Sequence, residues 1–185
     1  MKTVKTALRR VGLNSLLLDR RLTALSAGER QRVALARALT LHPALIICDD
    51  PARTLPPVAA EHFFRLMADL RQHDGLTFVW LVAQPKLAAA FADWLGVLYQ
   101  GRLIEWGLPR QLTDSPQHPY TRHWFGGGEP LADKPAGKGC PFHPHCPHVM
   151  PPCRERVPAM FVTPTTQTAA CFLYEEGAAQ RIKDA

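Results

Sequence analysis

The sequence contains no run of about 18 consecutive apolar residues, so no segment has the length a helix needs to cross a bilayer. Nor does it open like a secretory leader, because Met1-Lys2-Thr3-Val4-Lys5 leads into an amphipathic stretch instead of an apolar block. Both absences point to a cytosolic chain. Aromatic residues are sparse at 8%, and no basic strand interleaved with aromatics, as in single-strand RNA readers, is present. Carboxylates are outnumbered, 16 against 22 lysines and arginines, giving a net charge of +6. That excess is dispersed: Arg9-Arg10, Arg20-Arg21, Arg30, Arg32 and Arg37 are separated by apolar residues, which excludes a concentrated nucleic-acid footprint. Cysteines number five, and in a reducing compartment they are not expected to pair as disulfides.

Proline is scarce in the first part: five of the 17 prolines precede residue 108 and twelve follow it. The front is built of periodic apolar segments and the back is punctuated and loop-rich, so a boundary is expected at about residues 107–117, dividing the chain into 1–107 and 108–185. Val4–Val11 reads as a short helix stopped by Gly12. Ala27–Leu39 reads as a second helix, with Ser26 as N-cap and Glu29 completing a capping box. Leu45-Ile46-Ile47-Cys48, ending in Asp49-Asp50, suits a strand buried on both faces with carboxylates at its C-terminal end, and Cys48 a small buried residue. Further helices are expected over Val58–His73, with Phe63, Phe64, Leu66, Met67 and Leu70 on one face, and over Leu87–Trp94. Strands are expected at Phe78–Val82, Gly96–Tyr99 and Leu103–Trp106, the last two around a turn at Gln100-Gly101. This order indicates an α/β fold with a mostly parallel sheet, flanking helices and a terminal antiparallel pair.

Leu25-Ser26-Ala27-Gly28-Glu29-Arg30-Gln31-Arg32 carries the strongest local chemistry. A helix N-terminus exposes unpaired N–H groups, Ser26 adds a hydroxyl, and Gly28 allows close backbone approach to a phosphate. The plainer alternative is an ordinary capped helix. Asp49, at a strand end, is placed to hold Mg²⁺ through water. The phosphate-cradling pattern Gly-x-x-x-x-Gly-Lys-[Ser/Thr] occurs nowhere, and Gly126-Gly127-Gly128-Glu129 does not replace it, lacking the Lys-Ser/Thr that must follow.

The octet from Leu25 and the Leu45–Pro51 segment resemble the signature and Walker B motifs of ABC-transporter ATPases. The resemblance implies a partial P-loop NTPase sheet, with Ser26, Ala27, Gly28 and Glu29 offered to ATP, Asp49 to its Mg²⁺, and the family's P-loop part expected before Met1. Three positions depart from the family pattern. Asp50 stands where the catalytic Glu is expected, Arg53-Thr54-Leu55-Pro56 where an Asp-bearing loop is expected, and Gln84 where a switch His is expected. Asp is one methylene short for holding the attacking water, and a general base contributes roughly 10²–10⁴-fold. Gln donates a neutral hydrogen bond and carries no positive charge. The pattern implies a degenerate hydrolytic face beside a retained signature, with a chain that alone does not hydrolyse ATP.

His118-Pro119-Tyr120-Thr121 and Gly139-Cys140-Pro141-Phe142-His143-Pro144-His145-Cys146 resemble the C-terminal extension of oligopeptide and dipeptide importer ATPases, with His145 in place of the usual Arg. In that family the four cysteines accompany a [4Fe–4S] cluster, which makes Cys140, Cys146, Cys153 and Cys171 its implied ligands. Four thiolates can equally enclose zinc, for which tighter ligand spacing is usual, and His143, His145 or His148 can replace a Cys there; surface histidines are the plainer alternative. The resemblance further implies a second ABC ATPase subunit and transmembrane permease subunits as partners, and a peripheral place on the inner face of the plasma membrane. A non-enzymatic fragment that binds metal or a partner, or a gene remnant, is the competing expectation.

Overall fold

The computed structural model describes residues 2–128, 131 and 137–175, with side chains from Val4 onward. The chain divides into two compact units, Met1–Leu87 and Ala88–Ala185. Among the described residues, no helix is long and apolar enough to cross a membrane.

The first unit begins with α1 (Lys2–Arg10), which buries Ala7 and Leu8, with Val11 buried just after it. Gly12, at φ 70°, ends it in a left-handed turn: Gly12 N donates to Arg9 O at 3.0 Å and Leu13 N to Leu8 O at 2.9 Å. Two short 3₁₀ turns, Ser15–Asp19 and Leu22–Ala24, lead to α2 (Ala27–Leu39), which buries Leu35, Ala36 and Leu39. β1 (Leu45–Asp49) and β2 (Thr77–Leu81) pair in parallel, with Ile46 opposite Phe78 and Cys48 opposite Trp80. Between them runs α3 (Pro57–Asp74), burying Ala60, Phe63, Phe64, Met67 and Leu70 and stopped by Gly75 at φ 66°. Phe64 meets Trp80 edge to face at 5.1 Å, which seats α3 on the even-numbered face of the strand pair.

The opposite face departs from expectation. A continuous apolar strand is expected to be covered on both sides, yet Leu45, Ile47, Val79 and Leu81 are 42–66% exposed whereas Ile46 is 9% exposed. The reason is local: two strands carry one helical layer, so alternate side chains face solvent.

After α4 (Pro85–Phe91), shorter than expected, the second unit forms an antiparallel sheet in the order β3-β4-β6-β5. β3 (Leu95–Tyr99) and β4 (Arg102–Gly107) make the expected hairpin, and both turn residues are left-handed, Gln100 at φ 46° and Gly101 at φ 74°. β5 (Phe161–Val162) and β6 (Thr168–Ala169) were not legible as strands. They place part of the proline-rich tail in the same sheet as the hairpin, so parallel pairing is confined to β1 and β2. Three short helices, α5 (Pro109–Asp114), α6 (Pro119–Phe125) and α7 (Pro151–Glu155), each begin with proline, whose fixed φ suits a first helical turn.

Candidate functional site

In the first unit, the α2 terminus is built as its sequence suggests. Ser26 Oγ accepts from Glu29 N at 3.2 Å, and Glu29 Oε2 accepts from Ser26 N at 2.8 Å. The Ser26 N–H is the main influence holding the Glu29 carboxyl below its ordinary range, followed by the Ser26 side chain, with Arg20 and Arg32 adding to it. Arg30 donates to Leu25 O, tying the preceding turn to the helix. Gly28 would meet nothing within 4 Å if it carried a Cβ, so no packing inside this chain requires glycine there. Ala27 follows Ser26 as the first helical residue.

The C-terminal ends of β1 and β2 lie at one edge, the edge where open α/β sheets receive ligands. Asp49 lies opposite Leu81, and Asp50 N extends the pairing by donating to Leu81 O at 2.8 Å. Asp50 itself is left-handed at φ 41°, a conformation Asp tolerates better than most residues. Arg53 N donates to Asp50 O at 3.1 Å, closing a turn that buries Pro51 and Ala52 and exposes Arg53 and Thr54. Gln84 is exposed on the loop that leaves β2 at the same edge. No hydrogen bond or ion pair among the described residues joins the α2 terminus to Asp49, Asp50 or Gln84. Of the Gly126-Gly127-Gly128-Glu129 stretch, Glu129 lies outside the described residues.

In the second unit, Cys140, Cys153, Phe142 and Phe172 form one buried core, with Cys146, Tyr99 and Tyr120 packed against it. Tyr99 and Tyr120 each meet Phe142 edge to face, at 5.7 and 5.5 Å. All the cysteines are free thiols. Every pair among Cys140, Cys146, Cys153 and Cys171 is close enough for one thiol to raise another. Burial is the main cause pushing Cys140, Cys146 and Cys171 up, the last to about 12; main-chain N–H groups pull the other way. Soft sulfur donors of this kind fit a thiophilic metal in donor chemistry. Even so, among the described residues no group of three or more His, Cys, Asp or Glu side chains is gathered where a metal ion could be held. The expected [4Fe–4S] or zinc centre therefore has no ready-made site in this arrangement, because the thiols pack as small apolar groups among aromatic rings.

Glu105 was not singled out by sequence reasoning. Its carboxylate is inaccessible to solvent and accepts from Gln117 N at 2.7 Å, His118 N at 2.8 Å and Gln167 Nε2 at 2.7 Å. It binds β4, the turn before α6 and the segment entering β6 into one network. Tyr174 Oη extends that network to Gln117 Oε1 at 2.9 Å. Nothing in the local pattern of β4 signals it, since Ile104 and Glu105 are buried side by side while Leu103 is exposed. His118 is 1% exposed, its Nδ1 accepts from Tyr120 N at 3.1 Å, and burial lowers its pKa to about 4.

Two family profiles match the chain: "ABC transporter" over residues 1–53 and "Oligopeptide/dipeptide transporter, C-terminal region" over residues 123–153. The first takes in Ser26, Gly28, Asp49 and Asp50 and stops short of Gln84; the second takes in Cys140, Cys146 and Cys153 and stops short of Cys171. The oligopeptide transport ATP-binding protein AppF of Bacillus subtilis is 32% identical over 92% of this chain and 57% of its own length. The dipeptide transport ATP-binding protein DppF of Haemophilus influenzae is 31% identical over 91% of this chain and 57% of its own. Among solved structures, cbiO1 of Clostridium perfringens, part of the ABC transporter complex cbiONQ, matches with TM-score 0.58 and 26% identity, over 66% of this chain and 48% of that one. The ADP conformation of the ATP-binding cassette MJ1267 matches with TM-score 0.60 and 25% identity, over 68% and 49%. The chain thus spans a little over half the length of these curated relatives and about half of the solved cassettes.

Proposed function

We propose that the chain, which matches ATP-binding proteins of oligopeptide/dipeptide-type ABC transporters in both of its parts, lends its α2 terminus to ATP held by another subunit. The observation that carries this reading is Gly28, bare of neighbours at a capped helix start beside Ser26. A glycine that no internal contact requires is accounted for by an external group approaching the backbone. In this reading the nucleotide's β- and γ-phosphates are held by a P-loop-bearing ABC ATPase subunit. Asp49 is assigned to Mg²⁺, and Asp50 and Gln84 to a weakened hydrolytic face in this chain. Residues 1–107 act as the cassette part and 108–185 as the transporter-type extension. Transmembrane permease subunits supply the path for peptides or related solutes, and the chain sits peripherally on the inner face of the plasma membrane without contacting nucleic acid.

Reconstitution tests this. The chain is combined in proteoliposomes with permease subunits and a P-loop-bearing partner, and ATP-driven peptide uptake is measured with and without it. Uptake is expected to require the chain; uptake unchanged by its omission would refute the reading. Partner binding without turnover would favour the alternative, a non-enzymatic fragment, which the departures at Asp50 and Gln84 make the second reading.

For the tail, the soft-donor chemistry of Cys140, Cys146, Cys153 and Cys171, and not a preformed site, is what favours a thiolate-held metal centre, a [4Fe–4S] cluster with zinc as the alternative. Once bound, such a group cross-links the segments that carry the four sulfurs and, if iron-based, can exchange single electrons.

A further inference from the structure

We infer that Arg53 is a phosphate-contacting residue, a guanidinium held out at the C-terminal edge of β1–β2 to meet the terminal phosphate of a Mg²⁺-bound nucleoside triphosphate. This role rests on the nucleotide reading above. Two overlapping turns build the display: Arg53 N donates to Asp50 O at 3.1 Å, and Leu55 N donates to Ala52 O at 2.9 Å. Pro51, Ala52 and Leu55 are buried, whereas Arg53 and Thr54 between them face solvent. The first turn is itself tied to the strand pair, because Asp50 N donates to Leu81 O at 2.8 Å. Backbone anchored on both sides in this way has little freedom left to lose when its side chain meets a ligand.

Charge decides what such an arginine can do. Asp49 is exposed and Asp50 half-buried at the same edge, and Gln84 on the neighbouring loop is neutral. Carboxylates alone repel the phosphates that accompany Mg²⁺ to Asp49. Asp50 and Arg53 are the first and fourth residues of one turn, which puts their Cα atoms within about 7 Å and the guanidinium in reach of a group these carboxylates attend. Yet among the described residues the side chains of Arg53, Asp49 and Asp50 make no hydrogen bond or ion pair. Arginines that serve the fold are engaged within it, as Arg10 is with Asp74 at 2.8 Å and Arg65 with Glu61 at 2.7 Å. A guanidinium pairs with two phosphate oxygens at once, and such charge-assisted bonds are about twice as strong as neutral ones. Lys86, an exposed cation on the first turn of α4, offers only a compact charge on a flexible stem.

The test uses the transporter assembled from the chain, a P-loop-bearing partner and permease subunits. Displacement of a fluorescent nucleotide by a non-hydrolysable ATP analogue and by ADP, each with Mg²⁺, reads both affinities without turnover. Arg53→Ala is expected to weaken the ATP analogue about tenfold, the smaller effect of losing a hydrogen bond to a charged group, and to leave ADP unchanged because it lacks the contacted phosphate. Arg53→Lys keeps the charge without the paired donors and is expected to recover part of that loss. Lys86→Ala is expected to bind both nucleotides as the wild type does. Equal losses for the two nucleotides in Arg53→Ala, or no loss for either, would overturn the assignment. A loss found in Lys86→Ala alone would overturn it too, as would a lowered urea midpoint in Arg53→Ala, which would make Arg53 a folding residue. Weaker assembly of Arg53→Ala with the partner in the absence of nucleotide would assign the guanidinium to an acidic group of that partner and overturn the phosphate contact. If instead omitting the whole chain leaves the nucleotide affinities of partner and permease unchanged, the nucleotide reading itself fails, and the role of Arg53 with it.

Discussion

At the scale of single residues, Ser26 has two separable roles. Its Oγ caps α2 through Glu29 N, and its hydroxyl is the group proposed to face a nucleotide. Ser26→Ala is expected to cost about 1 kcal/mol, measured by the urea midpoint of the chain. Ser26→Asp restores the cap but sets a negative charge against phosphate, so it is expected to recover stability while abolishing uptake in the reconstituted transporter. Recovered uptake would confine Ser26 to capping. Asp50 combines a catalytic position with left-handed backbone. Asp50→Val is expected to destabilise by about 1–2 kcal/mol, because a β-branched side chain is disfavoured there. Asp50→Glu restores reach, and ATP turnover in the assembled transporter is expected to rise about tenfold or more if reach is what limits it. Unchanged turnover would remove Asp50 from the hydrolytic face. His118 carries a pH signature. Its folded pKa of about 4 lies below the ordinary 6.5, so the unfolded chain binds the proton first as pH falls. The stability that neutral His118 confers is complete above pH 6.5 and lost progressively as pH falls toward 4, at most about 3 kcal/mol in all. Urea unfolding at neutral and mildly acidic pH is expected to show this dependence, flattened in His118→Asn, which retains an acceptor for Tyr120 N; an equal slope in the variant would assign it to other groups.

At the scale of elements, the β4–β6 pairing decides whether the tail is part of a sheet or a string of loops. A Cβ on Gly107 would stand 2.8 Å from Gln167 Cβ and 2.9 Å from both Gln111 Oε1 and Leu112 Cδ1. Gly107→Ala is therefore expected to cost about 1–3 kcal/mol as overpacking. Amide exchange should quicken around Thr168–Ala169; unaltered protection there would mean that β6 does not depend on this close approach. The same region shows where sequence reading ran short. The hairpin was legible because Gln100-Gly101 stands between two apolar runs, and two adjacent left-handed residues suit an antiparallel turn. β5 and β6, two residues each, carry no periodicity to read. Their pairing depends on Glu105 and Gln167, which lie far apart in sequence and meet at 2.7 Å.

At the scale of the molecule, the exposed side of the parallel pair governs behaviour in solution. Leu45, Ile47, Val79 and Leu81 form an apolar face with open strand edges, an arrangement that invites association. The isolated chain is expected to self-associate in sedimentation experiments. Ile47→Lys with Val79→Thr is expected to reduce that association and leave α3 packing intact, because both side chains point away from Phe64 and Trp80. A wild-type chain that is monodisperse and melts cooperatively would contradict the expectation.

By itself the sequence determined what is local. A Ser-x-x-Glu start specifies the capped α2, glycines at 12 and 75 end α1 and α3, and an apolar run closing in Asp49-Asp50 specifies a strand with carboxylates at its end. Such features depend on neighbours within a few residues, so the order of residue types suffices. Tertiary structure alone decided what depends on distance: that only one face of β1–β2 is covered, that the tail joins the hairpin's sheet, and that Glu105 is buried beneath three donors. It also decided that Cys140, Cys146 and Cys153, spread along the tail, meet in one aromatic core. Spacing in a chain limits how far two groups can be apart; only the packed backbone fixes which of them meet.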